Sequence, residues 1–413
     1  MVMRLVPTSS TYETEIGLNF YSTSPPGAGG VAKLYPWDFV VDEVYPPFIR
    51  ASLLQSTHLR AGRYRCYVLS KIGHTTMYAA AQLAKAAKIS VDAIRYAGIK
   101  DKRAISHQIV TIPAASRITS QSLPQGIKVR YIGYSSHHIA TRELKGNVFR
   151  IRIIGASSKR IQQLAAELRE SGCLNYFGYQ RFGIPTPVNL LIAKAVLQAD
   201  LQLLEQAIKE SPYATPFSYE AKVIRRLKDR RGDISRAISA LPPRVLSIIL
   251  QSYQAYLFNR VLSILADNGF NFTRVRPGTI VKIFERYVVA RTSWDAAKLT
   301  KLCSSGIASI CVPIPGYSTL KLYRGPLSQA LSQALREAGL SHADVKRWPS
   351  QLAGAIRSAV LWPKFLEVDV DRNSVVLSFY LERGGYASIV LREFMKSSRI
   401  EDYEGGLRPP LSR

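Results

Sequence analysis

Alternation of hydrophobic and polar residues marks several short stretches of this chain. Residues 146–154 (GNVFRIRII) alternate in this way, and so do residues 105–112 (ISHQIVTI). A two-residue period places successive side chains on opposite faces of a β-strand. A further strand is predicted over residues 31–45, which include the β-branched and aromatic run FVV. Three half-buried strands are therefore predicted in the first part of the chain.

Apolar residues recur every three to four positions elsewhere, which is typical of amphipathic helices. After the serine pair at 157–158 this spacing continues as far as Gly172, and it predicts a helix with a serine cap and a terminal glycine. The alanine-rich residues 77–88 follow the threonine pair at 75–76, and they predict a second capped helix.

The pattern changes after Gly183. Residues 186–266 are dominated by helical spacing, residues 275–325 are rich in Pro, Gly and Val and resemble strands, and residues 327–339 predict another helix. Strand and helix patterns alternate again in residues 365–396.

An interrupted α+β domain accounts for these changes. Residues 1–183 and 365–413 are predicted to form one domain, and residues 184–364 are predicted to form a mostly helical insertion. The short tail, residues 397–413, is expected to be frayed.

The charge of the chain is unusual. Its 413 residues include 56 Lys and Arg but only 29 Asp and Glu, so the formal net charge is +27. A field of that size favours polyanionic partners such as RNA, and it argues against a small neutral ligand as the sole partner. No apolar run of about 18 residues predicts a membrane span, and the N-terminus lacks the features of a secretory signal. With four cysteines and no CxxC, a cytoplasmic location is expected.

Motifs for cofactors are missing from the sequence. There is no GxxxxGK[ST], no HExxH and no GxSxG, and the run GAGGVA at 27–32 follows Ser-Pro-Pro rather than a strand. Only two of the six histidines, His137 and His138, are adjacent, and neighbours on a strand point to opposite faces. The sequence therefore predicts no nucleotide, metal or redox cofactor.

Asp101 lies in a charged, turn-like segment between two structured regions. Lys100, Lys102 and Arg103 flank it, and three cations near one carboxylate favour its ionised form. The same cations would attract a phosphate backbone. A permanently ionised nucleophile or base at an RNA-binding site is one interpretation, and a solvated charged turn is the other.

Residues 175–183 (NYFGYQRFG) combine four aromatics with two glycines, an Asn, a Gln and an Arg. Aromatic and guanidinium planes stack on unpaired bases, whereas the same composition also suits an aromatic core segment with a turn. Glu43 ends a predicted strand, where a polar residue is ordinary. The basic run at 222–231 is interpreted either as a phosphate-binding face or as a solvated helix face.

Several of these segments together resemble the TruD family of tRNA pseudouridine synthases. Residues 96–108 (YAGIKDKRAISHQ) resemble that family's AG-x-KD-x-x-A-x-T-x-Q motif, with Ser106 where Thr is usual. Residues 38–43 (DFVVDE) resemble its F-x-V-x-E motif, and residues 175–183 resemble NYFG-x-QRFG. The C-terminal GYAS…LREF element completes a series that runs in the family's order over roughly residues 31–396.

The resemblance implies a pseudouridine-synthase catalytic domain with a mixed, largely antiparallel sheet flanked by helices, interrupted by a mostly helical α/β insertion (TRUD) domain. It implies that Asp101 is catalytic and that Glu43, Asn175 and Phe177 line the active site, with Glu43 orienting a basic residue. It also implies isomerisation of uridine 13 in the D arm of tRNA, without a cofactor. Residues expected to contact RNA are Lys100, Lys102, Arg103, Gln108, Arg181, Arg225, Arg226, Arg230 and Arg231.

Three other functions fit parts of the pattern. A non-catalytic RNA-binding protein would explain the charge and the aromatics, but it gives no reason for a lone acid in a cationic turn. A metal-dependent nuclease needs clustered acids or histidines, which the sequence lacks. A pseudouridine synthase with broader RNA targets stays open. No membrane and no obligate protein partner are expected.

Overall fold

The computed structural model of the chain describes residues 3–55, 61–119, 122–209, 238, 241–348 and 350–405. Its strands are, in chain order, β1 (Val6–Pro7), β2 (Phe20–Tyr21), β3 (Val31–Ala32), β4 (Phe39–Tyr45), β5 (Ile49–Arg50), β6 (Tyr64–Ile72), β7 (Arg95–Tyr96), β8 (Ile105–Pro113), β9 (Ile127–Ser135), β10 (Gly146–Ile154), β11 (Cys173–Leu174), β12 (Ile280–Ile283), β13 (Arg286–Val289), β14 (Ala308–Ile314), β15 (Ala355–Ser358), β16 (Val360–Leu361), β17 (Lys364–Asp371) and β18 (Ser374–Glu382).

The helices are α1 (Thr11–Glu15), α2 (Thr76–Ala87), α3 (Ser158–Ser171), α4 (Val188–Gln198), α5 (Leu201–Lys209), α6 (Pro243–Asp267), α7 (Ser293–Ser304), α8 (Pro326–Glu337), α9 (His342–Lys346), α10 (Ala387–Met395) and α11 (Glu401–Glu404). Within the described ranges, no helix combines the length and the hydropathy that crossing a membrane requires.

Two compact units divide the chain. Unit 1 consists of residues 1–26, 166–362 and 388–400, and unit 2 consists of residues 27–165, 363–387 and 401–413. Unit 1 thus contains, besides the predicted insertion, segments from both ends of the predicted catalytic domain. The predicted division into residues 1–183 plus 365–413 and residues 184–364 stays a prediction.

A large sheet forms the centre of unit 2. Its strands run in the order β17-β18-β10-β4-β8-β6-β9, and β3, β5 and β7 pair with β10, β4 and β8 respectively. Of its described pairs, β4 and β8 are parallel and the rest are antiparallel. The α+β class and the mixed, largely antiparallel sheet are therefore confirmed.

The parallel pair determines which loops meet at one edge of this sheet. Val40 pairs with Ile105, so β4 and β8 begin side by side. Antiparallel β6 ends at the same edge, because Ile72 also pairs with Ile105. The segment before β4, the turn before β8 and the end of β6 are thereby brought together.

Both faces of these strands are packed. On one face Leu69 and Val110 contact the alanine-rich side of α2, including Ala80 and Leu83. On the other face Val68 and Ile109 lie in a second cluster of buried side chains. The sheet edge is therefore supported by a core on either side.

Unit 1 combines helices with a smaller sheet, whose strands run in the order β13-β12-β14-β15. Helix α7 packs on it, with Ala296 and Cys303 beside Val281 and Ile310. A long helix, α6, and the short β11–β16 pair belong to the same unit.

Several sequence predictions match the structure closely. The strand at 146–154 has the predicted bounds, and the strand at 105–112 extends one residue further. Helices α2 and α3 begin at Thr76 and Ser158, as expected from their caps.

Three predictions were wrong in part. The strand predicted over residues 31–45 is broken between β3 and β4, where Lys33 adopts a left-handed conformation and residues 36–38 form a 3-10 turn. The strand-like region 275–325 contains α7, whose start is fixed by a capping box between Thr292 and Asp295. The tail is not frayed at residues 401–405, because α11 forms there and buries Tyr403.

Candidate active site

Asp101 lies in the turn between β7 and β8, at the edge where β4 and β8 begin. Its side chain is 45% exposed, so the carboxylate can be reached from solvent. The turn is fixed from inside: the Lys100 amide donates to the Thr76 hydroxyl at 2.9 Å, and the Gln108 amide donates to the Gly98 carbonyl at 3.0 Å. An exposed carboxylate therefore sits on a well-held backbone.

Lys33 is the nearest described cation to the Asp101 carboxylate. Its ammonium lies 3.7 Å from Asp101 Oδ2 and donates to both carboxylate oxygens of Glu404, at 3.0 and 3.1 Å. The side chain is 2% exposed. Burial alone would lower the pKa of Lys33, but the charges of Glu404 and Asp101 outweigh burial, so the pKa is raised. Lys33 therefore stays cationic beside Asp101.

Lys71 holds the backbone of the same turn. Its ammonium donates to the carbonyl of Asp101 at 2.7 Å and to the carbonyl of His74 at 2.9 Å. Burial lowers the pKa of Lys71 to about 8, with the Asp101 charge opposing and the Lys100 charge assisting this shift. The group thus carries a proton that it can lose near neutral pH.

Glu43 pairs with Lys100 rather than with the cations beside Asp101. The Lys100 ammonium lies 2.6 Å from Glu43 Oε1 and 2.9 Å from Asn147 Oδ1, and the Tyr45 hydroxyl donates to Glu43 Oε2. The backbone passes close to this ion pair, since a Cβ at Gly98 would lie 3.3 Å from Glu43 Oε1 and 3.4 Å from Lys100 Nζ. The basic residue that Glu43 contacts in this structure is Lys100.

The four residues predicted to contact RNA around Asp101 fall into two classes. Lys102 and Arg103 are exposed. Lys100 is 8% exposed and paired with Glu43, and Gln108 is fully buried with its amide bonded to Gly98 and Thr76. Lys100 and Gln108 therefore support the turn from inside, and their contact with RNA stays a prediction.

The aromatic motif at 175–183 belongs to unit 1. Asn175 donates to the carbonyl of Ser358 at 2.8 Å, and its side-chain oxygen accepts from Arg357 at 2.6 Å. The Arg357 guanidinium lies 4.3 Å from the centre of the Phe177 ring, which also packs edge-on against Phe258. Asn175 and Phe177 are thus joined through one arginine.

Of the other arginines predicted to contact RNA, only Arg181 is among the described residues. Arg181 is half-buried and donates to Gln251 Oε1 at 2.9 Å. Arg225, Arg226, Arg230 and Arg231, in the run at 222–231, lie outside the described residues.

The structure brings Asp101, Glu43 and Lys100 together in unit 2, and Asn175, Phe177 and Arg181 together in unit 1. Sequence reasoning missed Lys33, Lys71 and Arg357. The two lysines had a signal, since each is a lone cation in or directly after an apolar strand pattern (VAK and VLSKI).

Comparisons with known proteins agree with one another. The model of the family described as tRNA pseudouridine synthase D (TruD) matches residues 15–210 and 204–394. A Pyrococcus furiosus protein named "Probable tRNA pseudouridine synthase D" is 29% identical, with 92% of this chain and 98% of that protein covered. A Pyrobaculum aerophilum protein of the same name is 27% identical, with 94% and 97% covered.

A crystal structure from Methanosarcina mazei, described as tRNA pseudouridine synthase D (TruD), has the same fold. The TM-score is 0.70 over 93% of this chain and 97% of that one, at 24% sequence identity. At that identity the likeness shows the fold alone.

Proposed function

The chain belongs to the tRNA pseudouridine synthase D (TruD) family, and we propose that it isomerises uridine 13 in the D arm of tRNA, with Asp101 as the catalytic carboxylate. In this reaction the N1–C1′ bond breaks, the uracil turns, and a C5–C1′ bond forms. The hydrogen on C5 leaves as a proton and N1 gains one, so the reaction needs no net oxidation and no net hydrolysis.

The observation that carries the proposal is the environment of Asp101. Its carboxylate is half-exposed, while the cations that face its side chain and its backbone, Lys33 and Lys71, are buried. A buried cation is less screened by water than an exposed one, so it attracts a neighbouring carboxylate more strongly. A carboxylate that solvent can reach and that faces a buried cation suits either a nucleophile or a base.

Two chemical routes are compatible with such a carboxylate. Asp101 attacks C1′ and releases the base, or it removes the C2′ proton so that a glycal forms. Both routes require the target nucleotide to leave its stack, because the detached uracil must turn before it rejoins the sugar through C5. Lys102 and Arg103, exposed beside Asp101, are proposed to contact the phosphates of that strand.

Supporting roles are proposed for three further residues. Glu43 keeps Lys100 in place and so fixes the inner side of the Asp101 turn. Phe177 offers a ring for stacking on the uracil, and Asn175 orients Arg357 against that ring. The roles of Asn175 and Phe177 rest on the family motif and on their packing within unit 1.

A tritium-release assay tests the reaction and the position together. The chain is incubated with tRNA labelled at C5 of uridine, since the new C5–C1′ bond displaces that hydrogen into water. One tritium per tRNA is expected from the natural sequence, and none from a matched tRNA with cytidine at position 13. Release that persists from the second tRNA would contradict the proposed position, and no release from either would contradict the proposed reaction.

A further inference from the structure

The short C-terminal helix α11 reaches the Lys33–Asp101 pair within unit 2. Glu404, its last residue, accepts hydrogen bonds from the Lys33 ammonium on both carboxylate oxygens, at 3.0 and 3.1 Å. The contact from the same ammonium to Asp101 Oδ2 is longer, at 3.7 Å. The Lys33 ammonium is therefore closer to the Glu404 carboxylate than to the Asp101 carboxylate.

Gly405 shows that this docking is a built feature of the fold. A Cβ on Gly405 would lie 2.0 Å from the carbonyl oxygen of Lys33 and 2.2 Å from its carbonyl carbon, so only glycine permits the approach. Lys33 itself has a φ of 55°, a conformation that lysine adopts rarely and that its surroundings must maintain. The close approach of Gly405 and the left-handed backbone of Lys33 thus occur at the same place, next to the Lys33 carbonyl group.

The other contacts of Lys33 restrict the direction in which its ammonium can point. The ammonium lies 4.4 Å from the centre of the Phe39 ring, and the side chain is almost fully buried. With one side occupied by an aromatic face and another by Glu404, the ammonium is directed toward Asp101.

From these contacts we propose that Glu404 is a positioning residue for isomerisation: it fixes the Lys33 ammonium, and through that ammonium it orients the Asp101 carboxylate. The inference rests on the proposed catalytic role of Asp101. It assigns to α11 a part in the reaction, although Glu404 and Lys33 lie 371 positions apart in the sequence.

Replacing Glu404 by Gln keeps the shape of the side chain but removes the charge that anchors Lys33. We expect kcat to fall by about ten- to a hundredfold, while KM for tRNA stays within about threefold, because the RNA-facing cations are unchanged. Glu404→Asp keeps the charge but retracts the carboxylate by one methylene, so an intermediate kcat is expected. Glu401→Gln, at the first position of the same helix, is the matched control and should leave both constants unchanged.

A double-mutant cycle distinguishes positioning from a general loss of structure. If Glu404 acts through Lys33, then Glu404→Gln should have little further effect on kcat in a Lys33→Met background. An equal fall of kcat in both backgrounds would overturn the inference, and so would a wild-type kcat in Glu404→Gln. If circular dichroism shows that Glu404→Gln does not fold, the same cycle is measured with Glu404→Asp in place of Glu404→Gln, and the same outcomes apply. An inactive wild-type chain would instead contradict the proposed function itself.

Discussion

Two clusters of buried cations and carboxylates invite comparison, one in each unit. In unit 1 the Arg392 guanidinium lies 2.9 Å from Glu13 Oε2 and 3.5 Å from Glu393 Oε1, and all three side chains are buried. In unit 2 Lys33 lies between Glu404 and Asp101, and the Asp101 carboxylate is half-exposed. Both clusters contain one cation and two carboxylates. They differ because solvent can reach the Asp101 carboxylate in unit 2 but neither carboxylate in the unit 1 cluster.

Hydrogen bonds within the protein occupy the groups of the unit 1 cluster. Glu393 accepts from the backbone of Ser22 and from the amide and hydroxyl of Thr23, while Arg392 donates to the carbonyl of Phe20. Such a network ties separate segments together and leaves little for a substrate to use. Buried ion pairs thus serve structure where every group is enclosed, and they suit chemistry where one group is left accessible.

The largest expected effect on stability comes from breaking the enclosed cluster. Arg392→Met should lower the free energy of unfolding by about 3–5 kcal/mol, because Glu13 and Glu393 would keep their burial but lose their counter-charge. Equilibrium urea unfolding measures the change. Asp101→Asn is the matched comparison, and it should cost no more than about 1 kcal/mol because that carboxylate is half-exposed. Equal losses in the two variants would remove the distinction between the clusters.

A smaller effect is expected from the titration of Lys71, whose pKa is lowered to about 8 by burial. As the pH rises through about 8, the folded protein loses the charge that fastens the Asp101 carbonyl, so kcat should fall several-fold. Lys71 also affects stability. As the pH rises from about 8 to about 10, the free energy of unfolding should increase, because the unfolded chain, with a lysine pKa of about 10.4, binds more protons than the folded chain in that range.

Rates from pH 6.5 to 9.5 check this assignment. Lys71→Met should be slower than wild type and should lack the decline around pH 8. Lys128→Met, which changes an exposed lysine on β9, should retain that decline. An unchanged pH profile in Lys71→Met would show that another group titrates there.

Much of the fold was predictable because its strands and helices follow simple periods. The helix α7 was missed because Pro and Gly in the surrounding region dominated the pattern, although its Thr292–Asp295 capping box was visible in the sequence. The parallel pairing of β4 with β8 was not predictable, since nothing local in either strand specifies its partner.

The candidate site was predictable only where a motif carried it. Asp101 and Glu43 stood in recognisable motifs, but no local pattern indicates that Lys33 pairs with Glu404 across almost the whole chain. Burial distinguishes Lys100 in the turn and Gln108 on β8 from the exposed Lys102 and Arg103. The direction in which each of these side chains points depends on tertiary packing. The clustering of charged residues in the sequence therefore indicated the Asp101 turn, but it did not indicate which of those residues are buried and which are exposed.

Single-turnover tritium release from C5-labelled tRNA tests most directly the claim that the Asp101 carboxylate performs the chemistry. Asp101→Asn is compared with Asp369→Asn, which neutralises an exposed carboxylate on the edge strand β17 of the same unit. We expect no release above background for Asp101→Asn, a tRNA Kd within about tenfold (~1.4 kcal/mol) of wild type, and normal release for Asp369→Asn. Release by Asp101→Asn at the wild-type rate would contradict it.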